Sequence, residues 1–424
     1  MSALGPDLPA FAAVERALRA ATERLAREVV DPDEIPPTWS DFEWSIARAV
    51  ATMHGFNGLL AHRAHWNSPP EWPRRLLEQR EQIAAIQRKV RALIERIDRA
   101  TRAAGIACIP LKGSALLGLD LLVAGERSMG DVDLLVRPRD CEALAEVMHS
   151  LGYLLGYMAR RHATYLPAVQ AHNLVFGEHR DNPLRIEVHA KISESLPFEH
   201  VEITDAIWPV RAMPGVNPYA SPAALLRHLL LHAAGNMRAR ALRFIQLHDI
   251  SRLSARLGDD DWRALLGRRN AADGPWWLYP PLVLTERYLP RSIPAAVLAQ
   301  ARAACPRWLR ARSSRQSLYD VSWSNLRIQA LPGIEWARSP LEAARFARSR
   351  LMPSRQARRE LADGVRTLPE LLTVPWYQLP HASRIMRWLI SRPPRVQTLV
   401  QIRAALAREP VPADQPRATS AYKS

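Results

Sequence analysis

The spacing of apolar residues divides the 424-residue chain into a helical first part, a middle part that mixes strands with helices, and a helical remainder. In the first part, this spacing predicts helices over residues 11–28, 39–62 and 75–104. Ser40 and Glu43 form a capping-box pattern at the start of the second helix, and Gly105 is a typical stop for the third. The prolines of residues 67–73 predict a loop. Residues 1–105 are therefore predicted to form an N-terminal helical region.

Short apolar runs alternate with helical stretches over residues 106–215, which is typical of an α/β core. The apolar runs predict strands over residues 106–111, 132–136, 153–157, 173–178 and 184–189. Helical spacing between the strands predicts helices over residues 115–122 and 139–151. Asp181, Asn182 and Pro183 give a turn signal between the last two strands. We therefore expect a small mixed sheet with helices on one face.

The pattern is helical again from Pro222 onward. Helices are predicted over residues 223–234, 241–257, 274–288 and 294–304, and one more begins near Asp260. Residues 306–395 are arginine-rich helical segments interrupted by prolines. We predict a C-terminal helical domain over residues 216–400 and a disordered tail over residues 401–424. The fold class is α+β: a small mixed β-sheet core flanked by N-terminal helices and a larger C-terminal helical domain.

The composition is that of an ordinary globular protein, with 48% hydrophobic and 24% charged residues. No apolar run reaches the ~18 residues of a membrane span, and the first residues lack a signal-peptide pattern. We therefore expect a cytoplasmic protein with no membrane partner. The three cysteines are far apart in sequence, so neither a zinc site nor a disulfide framework is indicated.

The formal net charge of +16 favours polyanionic partners such as nucleic acid or nucleotides. The basic residues are nearly all arginines, which is also typical of a GC-rich genome. They are spread along the chain and are not interleaved with aromatic residues, as they would be in a channel for single-stranded nucleic acid. Charge alone does not identify a nucleic-acid binder, and no motif supports one.

Asp131 and Asp133 open the apolar strand predicted over residues 132–136 and are the strongest candidates for chemistry. Because side chains alternate along a strand, the two carboxylates point to the same face, roughly 6–7 Å apart. Like charges held this close repel, and a cation between them removes the penalty. Mg²⁺ prefers oxygen ligands of this kind and is completed by water and substrate phosphates. The pair therefore predicts a magnesium site.

A Gly113-Ser114 turn lies upstream of this pair and predicts a phosphate site. Gly113 lets the backbone approach a ligand, and Ser114 is expected to be the N-cap of the following helix, whose N-terminus attracts anions. Lys112 is expected to bind phosphate oxygens as a point charge, and Arg127 as a planar fork.

A third carboxylate is usual where two metal ions assist phosphoryl-type transfer, and Glu187 is the candidate. It lies on the strand predicted over residues 184–189 and shares a face with His189. His189 is a candidate base, ligand or packing residue. Glu187 is equally compatible with an exposed position on a strand.

The remaining histidines match no metal-binding spacing. His162, His172 and His179 precede His189 without a partnering cysteine, so scattered loop and strand histidines are expected. His228 and His232 share a helix face without the intervening glutamate of a metalloprotease and are interpreted as packing residues.

Together, the Leu-Lys-Gly-Ser sequence ending at Ser114, Arg127, the Asp-Val-Asp-Leu-Leu-Val sequence from Asp131, and the Arg-Ile-Glu-Val-His sequence ending at His189 resemble a known family. This is the uncharacterised bacterial nucleotidyltransferase family of the DNA polymerase beta superfamily. Helical stretches after residue 225 and around residues 350–354 are also similar to it, so the resemblance covers residues 80–390. It implies a metal-dependent mechanism, and it names no substrate.

The residues and the resemblance together predict an enzyme that uses two Mg²⁺ (or Mn²⁺) ions, held by Asp131, Asp133 and Glu187. Lys112, Gly113, Ser114 and Arg127 are expected to bind the NTP. The enzyme would transfer an NMP, with AMP the expected nucleotide, from an NTP to an unknown acceptor hydroxyl on a small molecule, protein or RNA, and release pyrophosphate. The alternatives are a non-catalytic nucleotide- or nucleic-acid-binding protein on the same fold, or a component of a toxin–antitoxin pair.

Overall fold

The computed structural model describes residues 10–32, 35, 37–61, 68–158, 162–169, 176–197, 199–267, 274–329, 331–353, 379–391 and 394–407. Four helices precede the sheet: α1 (Phe11–Val30), α2 (Asp41–His54), α3 (Phe56–Leu60) and α4 (Glu71–Ala103). The capping box at the start of α2 is confirmed, since the Ser40 hydroxyl accepts from the Glu43 amide and the Glu43 carboxylate accepts from the Ser40 amide.

Two predicted boundaries in this region are wrong. The helix predicted over residues 39–62 is divided at Gly55, whose φ of 75° is a left-handed conformation that ends α2. The loop predicted over residues 67–73 extends too far, because α4 already begins at Glu71. Pro73 lies in the first turn of α4, where a proline costs no helical hydrogen bond.

The middle of the chain forms a mixed six-stranded sheet and a two-stranded sheet. The strands are β1 (Ala107–Pro110), β2 (Asp131–Val136), β3 (Tyr153–Met158), β4 (His162–Pro167), β5 (Arg185–His189), β6 (Ser193–Leu196), β7 (Glu199–Glu202) and β8 (Gly215–Val216). The order in the large sheet is β3-β4-β5-β2-β1-β8, and β6 pairs with β7. Strand β2 lies in the middle, parallel to β5 and antiparallel to β1.

The strand predicted over residues 173–178 is corrected by the structure. Residues 173–175 lie outside the described residues, and residues 176–178 form no strand. The antiparallel neighbour of β5 is instead β4, which the apolar pattern did not predict. The reason is that His162 and Thr164 occupy alternate positions of β4 and dilute its apolar signal. Phe176, which suggested a strand, is buried in the larger of the two hydrophobic cores beneath the Arg75 guanidinium.

Helices make up most of the rest. They are α5 (Gly113–Gly118), α6 (Cys141–Ser150), α7 (Thr204–Ile207), α8 (Pro222–Ala239), α9 (Phe244–Ser254), α10 (Asp259–Leu266), α11 (Tyr279–Tyr288), α12 (Ala295–Ala304), α13 (Arg307–Ser313), α14 (Leu318–Val321), α15 (Pro340–Leu351), α16 (His381–Ser391) and α17 (Val396–Ala407). The tail predicted from residue 401 begins too early, because α17 continues to Ala407 and buries Ile402 against the core. Residues 408–424 lie outside the described residues.

Two hydrophobic cores hold these elements together. The smaller core lies between one face of the large sheet and helices α4 and α6, and it contains Val132, Leu134 and Ile186. The larger core joins α1–α3 to the helices after residue 222 and also takes in Leu135 from the opposite sheet face. The predicted α+β class is confirmed. The boundaries at residues 105/106 and 215/216 stay predictions, although the first and last helical regions share a core.

Among the described residues, no helix combines the length and the apolar character that crossing a bilayer requires.

Candidate functional site

The two faces of β2 have opposite characters. Val132 and Leu134 are fully buried in the smaller core, whereas Asp131 and Asp133 point to the other face. Asp133 is 5% exposed and Asp131 is half-buried. The apolar side anchors the strand on α4 and α6, and the strand thereby holds both carboxylates towards the helical part of the protein.

Strand pairing brings Glu187 to the same face. In the parallel pairing of β2 with β5, Asp133 and Glu187 are register partners, so their side chains lie side by side. Glu187 is 7% exposed. The three carboxylates predicted from sequence are therefore adjacent on one surface of the sheet.

Lys112 provides the nearest positive charge. Its Nζ donates to Asp133 Oδ1 at 2.7 Å, and its side chain is 18% exposed. Burial alone would lower the pKa of this amine, but the carboxylates of Asp133, Glu187 and Asp131 raise it above its usual value. Lys112 therefore stays charged in the site.

The carboxyl groups differ in how easily each ionises. Burial would raise the pKa of Asp133, but Lys112 and the His189 ring, whose Nε2 lies 3.1 Å from Oδ1, hold it well below its usual range. Burial and the neighbouring Asp133 charge raise the pKa of Asp131. Burial and the two aspartates raise the pKa of Glu187 to about 8. These shifts identify a site with more negative charge than its own cation neutralises.

The structure gives Arg127 a partner that sequence analysis did not connect with it. Arg127 forms a forked ion pair with Asp249 of α9, with Nε–Oδ1 and Nη2–Oδ2 distances of 2.8 Å. The two side chains are 12% and 3% exposed. No local pattern in the sequence links these two positions, which lie 122 residues apart. The phosphate-binding role of Arg127 stays a prediction.

The Gly-Ser turn differs in detail from the prediction. Helix α5 covers Gly113–Gly118, not residues 115–122, and its N-cap is Lys112 with a φ of 51°. Ser114 therefore lies inside the first turn and is 2% exposed, so its predicted N-cap role is wrong. Gly113 is required for another reason: a Cβ there would lie 2.2 Å from Arg127 Nη1. The glycine makes room for the guanidinium.

Two histidines flank Glu187. His189 follows it on β5, and His162 is the register partner of His189 on β4. The Nε2 atoms of His162 and His189 lie 3.7 Å and 3.9 Å from Glu187 Oε2. No local sequence pattern places His162 in this site, because only the pairing of β4 with β5, absent from the predicted elements, brings it here.

The other histidines lie elsewhere. His179 Nδ1 accepts from the Asp181 amide in a turn. His228 is buried on α8, where its Nδ1 lies 2.8 Å from the Tyr219 hydroxyl, and His232 hydrogen-bonds Asn236 at 3.1 Å. These contacts agree with the packing role expected for His228 and His232. His172 lies outside the described residues.

Comparison with protein families identifies one match. A family described as an uncharacterised nucleotidyltransferase matches residues 40–290, which is more than half of the chain. The match includes Lys112, Asp131, Asp133, Glu187 and Asp249, and it begins and ends earlier than the resemblance over residues 80–390. Comparison with curated proteins gives no match, and neither does comparison with solved structures. The chain belongs to this uncharacterised nucleotidyltransferase family.

Proposed function

We propose that this protein is a Mg²⁺-dependent nucleotidyltransferase of the DNA polymerase beta superfamily, which transfers AMP from ATP to an acceptor hydroxyl and releases pyrophosphate. The observation that supports this most directly is the alignment of Asp131, Asp133 and Glu187 on one sheet face beside Lys112. A group that is both acidic and partly shielded from water is suited to hold cations that accompany a triphosphate.

The donor set fits a divalent cation. Asp131, Asp133 and Glu187 supply oxygen atoms, and Lys112 contacts Asp133 directly. Arg127, which is paired with Asp249, and Arg185 and Arg243 add positive charge near the carboxylates. Lys112 offsets one of the three negative charges by direct contact, and one Mg²⁺ ion would neutralise the other two when all three carboxyl groups are ionised. Asp131 and Asp133 would hold the ion that accompanies the nucleotide, and Glu187 would contribute to a second, for which Mn²⁺ is also suitable.

The proposed reaction breaks one phosphoanhydride bond and forms one phosphoester bond. The acceptor hydroxyl oxygen attacks the α-phosphorus and its proton passes to solvent, while the bond to the bridging β-phosphate oxygen breaks and pyrophosphate leaves with the electron pair. The metal ions supply Lewis-acid stabilisation of the phosphate charge when bound. When a metal ion replaces Lys112 as the partner of Asp133, Lys112 would bind a phosphate oxygen. Positioning of the phosphates in this way would provide much of the rate enhancement.

Non-catalytic binding of nucleotide or nucleic acid is the alternative. The excess negative charge at the site opposes it, since phosphates are repelled there unless a cation accompanies them. The acceptor is expected to be selected by the helical part that faces the sheet, through α8 and α9.

The proposal is tested by calorimetric titration with each of the four NTPs, with and without Mg²⁺. We expect Mg²⁺-dependent binding of ATP that the Asp131→Asn/Asp133→Asn variant loses. Asp205→Asn is the matched control, because the Asp205 side chain is 96% exposed and lies outside the site. If no NTP binds the well-folded protein in Mg²⁺, the enzyme proposal is contradicted and nucleic acid is the next ligand to test.

A further inference from the structure

A second group of potential metal ligands lies at the edge of the carboxylate cluster. It consists of His162, Glu187 and His189, which lie on adjacent strands β4 and β5 and face the same side of the sheet. One ligand atom from each lies within 4.8 Å of the other two. The two imidazole rings are neighbours, with centroids 5.1 Å apart. Unlike Asp131 and Asp133, this group offers nitrogen as well as oxygen.

The distances suit a common ion. Zinc and similar ions bind histidine nitrogen and carboxylate oxygen at about 2.0–2.1 Å, so neighbouring ligand atoms in a tetrahedral site lie about 3.4 Å apart. The Nε2 atoms of His162 and His189 are 3.7 Å and 3.9 Å from Glu187 Oε2. The three ligand atoms lie within 4.8 Å of one another. Rotation of the side chains, without movement of the strands, therefore suffices to bring them around one ion.

The surroundings supply a second observation. Thr164 is the register partner of Glu187 on β4 and is fully buried. Its hydroxyl has no hydrogen-bond partner within the part of the chain that the structure describes. A buried polar group without a partner is unusual and indicates a nearby ligand such as an ion or its water. On the other side of Glu187, Asp133 is within 3.1 Å of His189 Nε2 and extends the site towards Asp131.

We propose that His162, Glu187 and His189 bind a first-row transition-metal dication, so that the catalytic site contains a nitrogen-ligated position beside the oxygen-ligated position of Asp131 and Asp133. Imidazole ligands favour ions such as Zn²⁺ and Co²⁺ over Mg²⁺. The role of this ion in catalysis rests on the proposed function, whereas its binding does not. Binding requires the Nε2 lone pair of each ring, so the proton that His189 Nε2 shares with Asp133 moves to Nδ1, which gives the other neutral tautomer.

Metal binding is tested on the full-length protein after removal of metals by chelation. In calorimetric titration without nucleotide, we expect one Zn²⁺ ion to bind in the presence of millimolar Mg²⁺. His162→Gln should weaken Zn²⁺ binding at least about 100-fold, since loss of a mere supporting residue costs 10–100-fold. Co²⁺ bound to the unmodified protein should show the intense visible absorption of a four- or five-coordinate ion with nitrogen ligands, a measurement that needs no variant.

The control is His149→Gln, because His149 is exposed on α6, against the opposite face of the sheet. It should bind Zn²⁺ as the unmodified protein does. Equal Zn²⁺ affinity in His162→Gln, or Co²⁺ with only the weak absorption of the hydrated ion, would overturn the proposal. Asp131→Asn separates the two proposals: it should abolish Mg²⁺-dependent ATP binding and leave Zn²⁺ binding largely intact. Failure of ATP binding alone would contradict the proposed function only.

Discussion

Two half-buried cations lie next to Gly113, Lys112 in sequence and Arg127 in space, and their pairings differ. Lys112 makes one hydrogen bond to Asp133, and two further carboxylates of the site raise its pKa. Arg127 forms a forked pair with Asp249, in which three hydrogen bonds fix both side chains. One pairing leaves negative charge in excess, and the other neutralises itself.

The difference assigns the Lys112–Asp133 pair to ligand binding and the Arg127–Asp249 pair to the stability of the fold. The Lys112–Asp133 pair uses a flexible point charge that is free to exchange partners when phosphate and cation arrive. The Arg127–Asp249 pair is rigid and ties the loop before β2 to helix α9. Both cations were expected from sequence to bind phosphate, and only the partner carboxylate distinguishes them. The following predictions test this division.

The largest effect is expected from removing one of the carboxylates around Lys112, where negative charge is in excess. Asp131→Asn should lower nucleotidyl transfer by on the order of 10³-fold, because the lost carboxylate holds the nucleotide's cation. The unfolding free energy should stay the same or rise, since the raised pKa of the half-buried Asp131 carboxyl group shows that its negative charge opposes folding. Pyrophosphate release and urea unfolding measure the two quantities. A parallel loss of stability would contradict the division.

Breaking the Arg127–Asp249 pair should instead lower the stability of the fold. Asp249→Asn leaves the Arg127 guanidinium buried without its counter-charge, and we expect a loss of roughly 3–5 kcal/mol in unfolding free energy. The control is the double variant Arg127→Met/Asp249→Leu, which removes both charges and should recover most of the stability. If Asp249→Asn unfolds at the same urea concentration as the unmodified protein, the pair is not a structural tie.

Lys112→Met should give a smaller effect, confined to function. Loss of one phosphate-binding charge is expected to lower transfer about 10²-fold, with a lower apparent affinity for ATP. Lys89→Met is the matched control, since the Lys89 side chain is half-exposed at 50%. Steady-state kinetics at varied ATP distinguish this from a folding defect, which would reduce the active fraction without changing KM.

The effect expected per pH unit is the smallest, and it arises because α9 has a second anchor that is neutral. The buried His54 ring accepts from the Phe244 amide at the start of α9, and its Nε2 lies 2.7 Å from the Ser324 hydroxyl. Burial and the nearby Arg243 lower the pKa of His54 to about 3. The unfolded chain takes up a proton below about pH 6.5 and the folded protein does not, so this stability is present above pH 6.5 and lost as pH falls towards 3.

Thermal unfolding between pH 7 and 4 measures this contribution. In His54→Gln, the slope of the unfolding free energy against pH should be smaller by up to about 1.4 kcal/mol per pH unit, because the glutamine amide does not titrate. The stability gap between the two proteins should therefore shrink as the pH is lowered. His149→Gln, which changes an exposed histidine, should leave the slope unchanged. A constant gap would show that His54 does not titrate on unfolding.

Local signals explain which features the sequence predicts well. The capping box of α2 and the Asp-Val-Asp strand each depend on neighbouring residues, and both have the predicted form. Strand β4 has polar residues at the site-facing positions and therefore lacks an apolar signature. The partnership of Arg127 with Asp249, and of His162 with His189, depends on tertiary pairing that no local pattern encodes. Sequence thus identifies the acidic residues with Lys112 and His189, and it misses His162 and Asp249.

The contact between Gly113 and Arg127 limits which substitutions homologous sequences tolerate at these positions. Any side chain at this position would overlap the guanidinium of Arg127, and that guanidinium is oriented by Asp249. The three positions therefore form one unit, in which a change at one is tolerated only with changes at the others. Across homologous sequences, we expect positions 113, 127 and 249 to covary, whereas position 112 should follow the carboxylates of the sheet.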